Sequence, residues 1–217
     1  MDKPETYGQW WEGEHCTPAW YSTIHSQRAD VHASFLQTLS ELEHPITTVL
    51  EVGGGMAGIY PQHFIDRGIS YTGLDISQRT VDWCRANLPG RFMRADMSEL
   101  YGFDVDLANE ALYPDPIFFD LVFSHAVVDH VPDIDLFLRS LLRAAKHTVY
   151  LTAYSGWYPD LAEHEQTWSE SQHCFYNLLS VDRVMQVMAT DGFSVTCCEL
   201  PREGDPQSEL MILAERG

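Results

Sequence analysis

The stretch that most constrains this chain is Thr48-Val49-Leu50-Glu51-Val52-Gly53-Gly54-Gly55-Met56-Ala57-Gly58. Its apolar half (Val49, Leu50, Val52) predicts a strand buried on both faces, as in a parallel sheet. The strand then breaks into four glycines within six positions. Glycine tolerates positive φ and carries no side chain, so such a turn folds tightly and lets a ligand lie against bare backbone. Residues 59–67 can follow as a helix whose unpaired N–H groups point at the same place. Strand, glycine turn and helix together make a nucleotide-binding unit.

The rest of the chain alternates strand with helix, as a sheet carrying that unit requires. Residues 5–27 are dense in aromatics (Tyr7, Trp10, Trp11, Trp20, Tyr21), and Pro18 with two glycines argues against one long helix there. Val31, Phe35, Leu36, Leu39 and Leu42 recur at helical spacing, and Pro45 closes that helix. Downstream, 69–75 reads as a second strand ending in Asp75, and Ser77 is placed to cap a helix bearing Val81, Trp83 and Leu88. Pro89-Gly90 stops that helix, and 91–95 make a short third strand leading to Asp96. Residues 97–118, with Pro114 and Pro116, form an irregular insertion. A fourth strand (119–124), a helix (134–145) and a fifth strand (148–152) follow. A second insertion, 154–177, is rich in aromatics and histidine, and 181–189 is again helical. Strands near 193–199 and 209–214, joined by a turn containing Pro201, Gly204 and Pro206, predict a hairpin. The expected fold is α/β and doubly wound, with a seven-stranded, mostly parallel sheet closed by an antiparallel C-terminal hairpin strand. Residues 1–217 are read as a single domain.

Charge narrows the partners. The formal net charge is −19, from 32 acidic and 13 basic residues, a field that repels nucleic acid and anionic membranes. A neutral or cationic small molecule suits it better, unless a local basic pocket overrules the global charge. No apolar stretch approaches the roughly 18 residues that cross a bilayer, and the first residues lack the pattern of a signal peptide, so a cytoplasmic protein is expected. Cys16, Cys84, Cys174, Cys197 and Cys198 form an odd set without a Cys-x-x-Cys pair, which predicts reduced thiols.

Gly53, Gly55 and Gly58 satisfy G-x-G-x-x-G, and Asp75 follows 17 residues after the last glycine, where an acid can bind ribose hydroxyls. That pattern keeps an NAD-linked oxidoreductase in view. Three features point elsewhere. Glu51 lies inside the strand, where a carboxylate is costly to bury without a cationic partner. Asp96 closes the third strand, so Glu51, Asp75 and Asp96 stand at the carboxyl ends of consecutive strands, which line one crevice in a doubly wound sheet. No second phosphate-binding element follows. The implied ligand has an amino group, a ribose and an adenine but no pyrophosphate.

On these residues the chain resembles the class I S-adenosylmethionine-dependent methyltransferases of the small-molecule type. The resemblance runs through Val49 to Gly55, Gly73-Leu74-Asp75-Ile76-Ser77, Arg94-Ala95-Asp96-Met97, Phe119 to Ser124 and Asp129-His130-Val131-Pro132-Asp133, over roughly residues 45–153. It implies S-adenosylmethionine as cofactor, with Glu51, Gly53 and Gly55 at its methionine part and Asp75 on the ribose. Ile76, Asp96 and Met97 would meet the adenine, and Ser124 completes the cofactor set. The chain departs from the family at Ala57, where a third glycine is common, and at Ala145-Lys146-His147, where Gly-Gly often precedes the fifth strand.

Methyl transfer to oxygen also requires a base, and His125 and His130, just beyond the fourth strand, are the catalytic candidates. Five residues apart, they need not share a face. Asp129 and Asp133 invite a metal, but Asp133 after Pro132 reads better as a helix cap. The spacing of His15-Cys16, His164 and His173-Cys174 matches no zinc site, so no metal is expected. The aromatic segment 1–44 and the insertions 97–118 and 154–177 are read as a substrate lid. The expected activity is methylation of a small-molecule acceptor at oxygen, with nitrogen methylation, an oxidoreductase or a non-catalytic cofactor-binding protein as alternatives.

Overall fold

The computed structural model describes residues 4–96, 119–189, 192–202 and 208–217. The insertion 97–118 and Met97 therefore lie outside the described residues. Two helices come first, α1 (Pro18–Ser26) and α2 (Ala29–Glu41), preceded by a short 3₁₀ turn at Gln9–Glu12. Then follow β1 (Thr48–Val52), α3 (Tyr60–Ile65), β2 (Ser70–Asp75), α4 (Gln78–Asn87) and β3 (Arg91–Arg94). The second half comprises β4 (Phe119–His125), α5 (Ile134–Ala144), β5 (Ala145–Ala153), β6 (Glu165–Ser169), β7 (Cys174–Leu178), α6 (Val181–Met188), β8 (Phe193–Leu200) and β9 (Glu209–Arg216).

Seven strands form one sheet in the order β3-β2-β1-β4-β5-β9-β8. β1 pairs in parallel with β2 on one side and β4 on the other. The chain thus runs outward from β1 to β3, then returns across β1 to β4, and the reversal opens a crevice at the carboxyl ends of β1 and β4. β9 is antiparallel to both of its neighbours, β5 and β8. It lies between them, so the C-terminal pair is an inserted hairpin.

Both faces of the sheet are covered, which is why β1 is apolar on both sides. Leu50, Val122 and Leu151 pack with Phe137, Leu141 and Val184 of α5 and α6. On the other face Val49, Phe123 and Tyr150 pack with Phe35, Tyr60 and Phe64. Each such side chain contributes about 1.5–3 kcal/mol when fully buried. Ser77 caps α4 by accepting from the Thr80 N–H at 3.1 Å, and Asp133 caps α5 through the Leu136 N–H at 2.9 Å. Each cap is worth roughly 1 kcal/mol. Among the described residues no helix is long and apolar enough to cross a membrane.

Three elements differ from the sequence expectation. α3 covers six residues rather than the whole of 59–67, because Gly58 holds φ at 64° and Pro61 belongs to the first turn. β5 leaves α5 with no intervening loop and starts at Ala145 rather than at 148. The segment read as an insertion rich in aromatics and histidine (154–177) holds a two-stranded antiparallel ribbon, β6 with β7, which ends at Leu178 and is separate from the main sheet.

Candidate active site

The crevice at the carboxyl ends of β1 and β4 opens into a cavity of about 390 Å³, within the range of small-molecule sites. Glu51, Asp75 and Asp96 all line it, with Gly53 and Ile76 between them. The glycine turn is as bare as its spacing implies. Gly53 has φ 74°, and a Cβ there would stand 2.3 Å from Val127 Cγ2. Gly55 has φ 58°, and a Cβ there would stand 2.2 Å from the Tyr21 ring. Only glycine fits at either position.

The two inner acids are held by neutral donors. Glu51 accepts from the Tyr71 hydroxyl, and burial pushes its carboxyl up to about 7. Asp75 accepts the Ser77 N–H at 2.9 Å and the Gly55 N–H at 3.3 Å, and burial pushes it up to about 6. Neither meets the ammonium partner that the sequence argument asks for at Glu51. A ligand bringing positive charge and hydroxyl donors would supply what these carboxyls lack. The residues present therefore fit an adenosyl sulfonium cofactor.

Two expected cofactor residues stand outside the lining of the main cavity. Ser124 does not reach the cavity; it is buried, and its hydroxyl donates to the Val52 carbonyl at 2.9 Å, tying β4 to β1. Gly55 does not line the main cavity either, and its N–H serves to fix Asp75.

Both candidate histidines line the cavity. A 3₁₀ turn at Val128–His130 carries His130 back onto the face that His125 occupies at the end of β4. His130 Nδ1 lies 2.8 Å from the Phe175 carbonyl, which can only accept, so the proton sits on Nδ1. Its Nε2 lone pair is left facing the Tyr154 hydroxyl at 3.2 Å. Asp129 accepts the backbone N–H groups of Tyr154 and Ser155 and so positions that tyrosine. His125 is committed on both nitrogens, to Tyr60 OH and Thr152 Oγ1, each at 3.2 Å. Burial holds it neutral, far below the usual histidine range.

A family model described as a methyltransferase domain matches residues 50–153, the span that runs from β1 to the end of β5 and carries the glycine turn, the three acids and both histidines. The chain is a class I S-adenosylmethionine-dependent methyltransferase. Solved structures agree on the fold. Magnesium protoporphyrin IX methyltransferase from Synechocystis PCC 6803, solved with S-adenosylmethionine bound, superposes with TM-score 0.58 at 14% identity, covering 98% of this chain and 88% of that one. The 1,6-didemethyltoxoflavin-N1-methyltransferase of Burkholderia thailandensis, solved with S-adenosylhomocysteine, gives TM-score 0.62 at 14% identity over 89% and 80%. A Rhodobacter sphaeroides structure described as a Zn-dependent alcohol dehydrogenase gives 0.54 at 14% identity over 80% and 86%, a likeness of fold alone. No curated protein matches the sequence.

The methyltransferase covers its cavity with two segments remote from each other in sequence. Trp10, Trp11, Trp20 and Tyr21 line it from the N-terminal side, and Cys174 and Tyr176 from the ribbon. The two meet where the Gly8 N–H donates to the His173 carbonyl at 3.1 Å and where Tyr7 approaches Phe175. Glu12 secures the N-terminal segment by accepting from the Gln78 N–H at 2.8 Å, the Arg79 N–H at 3.3 Å and the Ser77 hydroxyl at 3.2 Å.

Sequence reasoning missed a second polar assembly in this methyltransferase. His25 Nδ1 meets His32 Nε2 at 2.8 Å; His32 Nδ1 bonds the Tyr60 hydroxyl, which reaches His125. His125 in turn meets Thr152, to which Arg28 donates at 3.0 Å, and Arg28 forms a buried ion pair with Glu209. Burial pushes His25 down to about 4 and His32 to about 3. One signal was available: His32 shares the buried face of α2 with Val31 and Phe35, so it interrupts an apolar stripe. Among the described residues no three His, Cys, Asp or Glu side chains gather as a metal site would.

Proposed function

We propose that this methyltransferase methylates an oxygen of a small aromatic acceptor and that His130 is the base. When bound, S-adenosylmethionine supplies an electrophilic methyl group on a sulfonium centre. The chain's own task is then to align the acceptor, exclude water and take a proton. The observation that carries the reading is the fixed tautomer of His130, whose Nδ1–H is held by the Phe175 carbonyl and whose Nε2 lone pair is turned to a cavity-lining hydroxyl. An acceptor hydroxyl replacing that of Tyr154 would hand its proton to Nε2. The third-group orientation of a base is the usual mark of such a role.

The aromatic walls support a flat, unsaturated acceptor, and residues 5–27 with the β6–β7 ribbon act as the lid that keeps water from the methyl group. Two of the solved neighbours are named for magnesium protoporphyrin IX and 1,6-didemethyltoxoflavin, which supports a small-molecule acceptor here. The five unpaired cysteines fit a reducing, cytoplasmic setting. Nitrogen methylation is the second reading, favoured by the neighbour named as an N1-methyltransferase, and it needs less from a base.

A panel of phenols and aromatic amines with radiolabelled donor tests the reading. His130→Gln is expected to slow phenol methylation by about 10²–10³-fold while S-adenosylhomocysteine affinity stays within about twofold. Loss of binding and turnover together would make His130 a structural residue. Amines methylated at wild-type rate by the variant would move the assignment to nitrogen.

A further inference from the structure

A line of hydrogen bonds runs behind the cavity wall from the end of β5 to α1. Arg28 Nη2 donates to Thr152 Oγ1 at 3.0 Å, and that oxygen stands 3.2 Å from His125 Nδ1. His125 Nε2 lies 3.2 Å from the Tyr60 hydroxyl, which bonds His32 Nδ1, and His32 Nε2 lies 2.8 Å from His25 Nδ1. Thr152, Tyr60 and His32 stand outside the lining of the cavity, whereas half-buried His25 is part of it. With its Nδ1 turned inward to His32, His25 has Nε2 left for the cavity, and among the described residues nothing bonds that atom.

Counting protons gives the line a single direction. Its three imidazoles are neutral, because burial, with the Arg28 charge adding to it, holds His25 at about 4, His32 at about 3 and His125 far below the usual range. A neutral imidazole carries one N–H and one lone pair. Arginine only donates, so Thr152 takes that bond on a lone pair, and the acceptor left for its own hydrogen among the described residues is His125 Nδ1. His125 then donates from Nε2 to Tyr60, Tyr60 donates to His32 Nδ1, and His32 donates from Nε2 to His25 Nδ1. The last hydrogen stands on His25 Nε2. The opposite direction would leave the hydroxyl hydrogen of fully buried Thr152 without an acceptor, at a cost of about 1–3 kcal/mol. Bonds in such a chain polarise one another, so the guanidinium at its head strengthens the donor at its tail.

We propose that the Nε2–H of His25 selects the methyl acceptor by donating to a lone-pair group on it, a carbonyl oxygen or a pyridine-type ring nitrogen. The acids Glu51, Asp75 and Asp96 belong to β1, β2 and the end of β3, whereas the line behind His25 is anchored on β4 and β5. His130 follows the same β4, so His25 serves the acceptor's side of the cavity. The acceptor then meets two polar groups of opposite sense: the His130 lone pair takes the hydrogen of its hydroxyl, and His25 supplies a hydrogen to a second atom. A flat molecule bearing a hydroxyl and a separate carbonyl or ring nitrogen satisfies both, while a phenol without such a group leaves the His25 hydrogen unpaired. Tyr60 and His32 act through His25 as positioning residues. The inference rests on the proposed methylation at oxygen and names its acceptor class.

Nitrogen NMR on the intact chain with isotope-labelled histidine reads the tautomer, His25→Phe assigning the signal. The hydrogen is expected on Nε2 of His25, and a hydrogen on Nδ1 overturns the proposal. Calorimetry on the S-adenosylhomocysteine-loaded protein then compares meta-hydroxyacetophenone with meta-isopropenylphenol, flat probes of one shape that differ in a carbonyl oxygen. The wild type is expected to favour the ketone by about 3- to 10-fold. His25→Phe should lose that preference, and His25→Gln, which keeps an N–H near the same place, should retain part of it. Tyr60→Phe, which removes a hydroxyl remote from any ligand, should weaken the preference and show both His25 tautomers. S-adenosylhomocysteine itself should bind every variant within about twofold of the wild type. The proposal is overturned if the wild type binds the two probes alike or if His25→Phe keeps the preference. It is also overturned if His25→Phe weakens S-adenosylhomocysteine as much as the ketone, which would set His25 against the methyl donor. Binding needs no turnover, so a failure of oxygen methylation in the phenol panel shows up separately.

Discussion

The acidic end of the cavity takes its side chains from consecutive strands: Glu51 from β1, Asp75 from the end of β2, Asp96 from just past β3. The guanidinium end is assembled from Arg28 ahead of α2, Thr152 on β5 and Glu209 on β9, through hydrogen bonds that span 124 and 181 residues. The first arrangement follows from strand spacing and from the direction in which parallel strands point. The second exists only once β9 has been inserted beside β5. The ends also differ in protonation. Burial lifts the carboxyls at one end toward the neutral form, and it holds the histidines at the other end neutral as well, by lowering them. The carboxyls therefore gain most from a ligand that brings positive charge, whereas Arg28 already has its partner in Glu209.

Breaking the long-range end has the largest expected effect. Arg28→Met leaves Glu209 buried without its main partner and should cost about 3–5 kcal/mol, or on the order of 10 °C in Tm for a chain of this size. Replacing both members, Arg28→Met with Glu209→Leu, should recover most of the loss in thermal melts. A single variant melting like the wild type would show that β9 is held by the sheet alone.

At the acidic end the deficit should appear in binding rather than in folding. Asp75→Asn is expected to weaken S-adenosylhomocysteine by about 1.5–3 kcal/mol, roughly 10- to 100-fold by calorimetry. An unchanged affinity would remove Asp75 from the ribose site.

The smallest effect, a few degrees in Tm, sharpens the comparison through pH. Glu51 at about 7 and Asp75 at about 6 bind protons that the unfolded chain releases near pH 4. Their stabilisation is whole below about pH 4 and is lost as pH rises through 6 and 7. His25 at about 4 and His32 at about 3 are depressed from the ordinary value of about 6.5. Their stabilisation is present above about pH 6.5 and fades as pH falls toward 4 and 3. Melts of wild type and Glu51→Gln from about pH 5 to about pH 8 isolate the first contribution, since the variant should lose the part of the decline that Glu51 adds up to about pH 7, above which the wild-type curve levels off. Saturating S-adenosylhomocysteine, whose ammonium group favours the ionised acids, should flatten the same decline in the wild type. Identical curves with and without ligand would place the ammonium group elsewhere.

The same contrast explains what could be read from the sequence. Glu51, Asp75 and Asp96 each close or interrupt an apolar run, so strand periodicity locates them, and Ser77 and Asp133 announce their helices by cap chemistry. His130 was reachable because it follows β4 by a short turn. Arg28 and Glu209 carry no local signal, since a charged residue before a helix or at the start of a strand ordinarily faces water. The β6–β7 ribbon escaped for a different reason: Glu165-Gln166-Thr167-Trp168-Ser169 lacks the alternation of a half-buried strand. It has a chain neighbour to pair with, β7, but little core to cover.

Glu12 has a bearing on selectivity. Its carboxylate already occupies the positive end of α4, taking the Gln78 and Arg79 N–H groups beside Asp75. A nucleotide phosphorylated on its ribose would bring its charge to a helix start that the protein has neutralised with its own side chain. Adenosine derivatives bare at the sugar are therefore expected to bind more tightly than sugar-phosphorylated ones, with Glu12 as the residue that sets the difference.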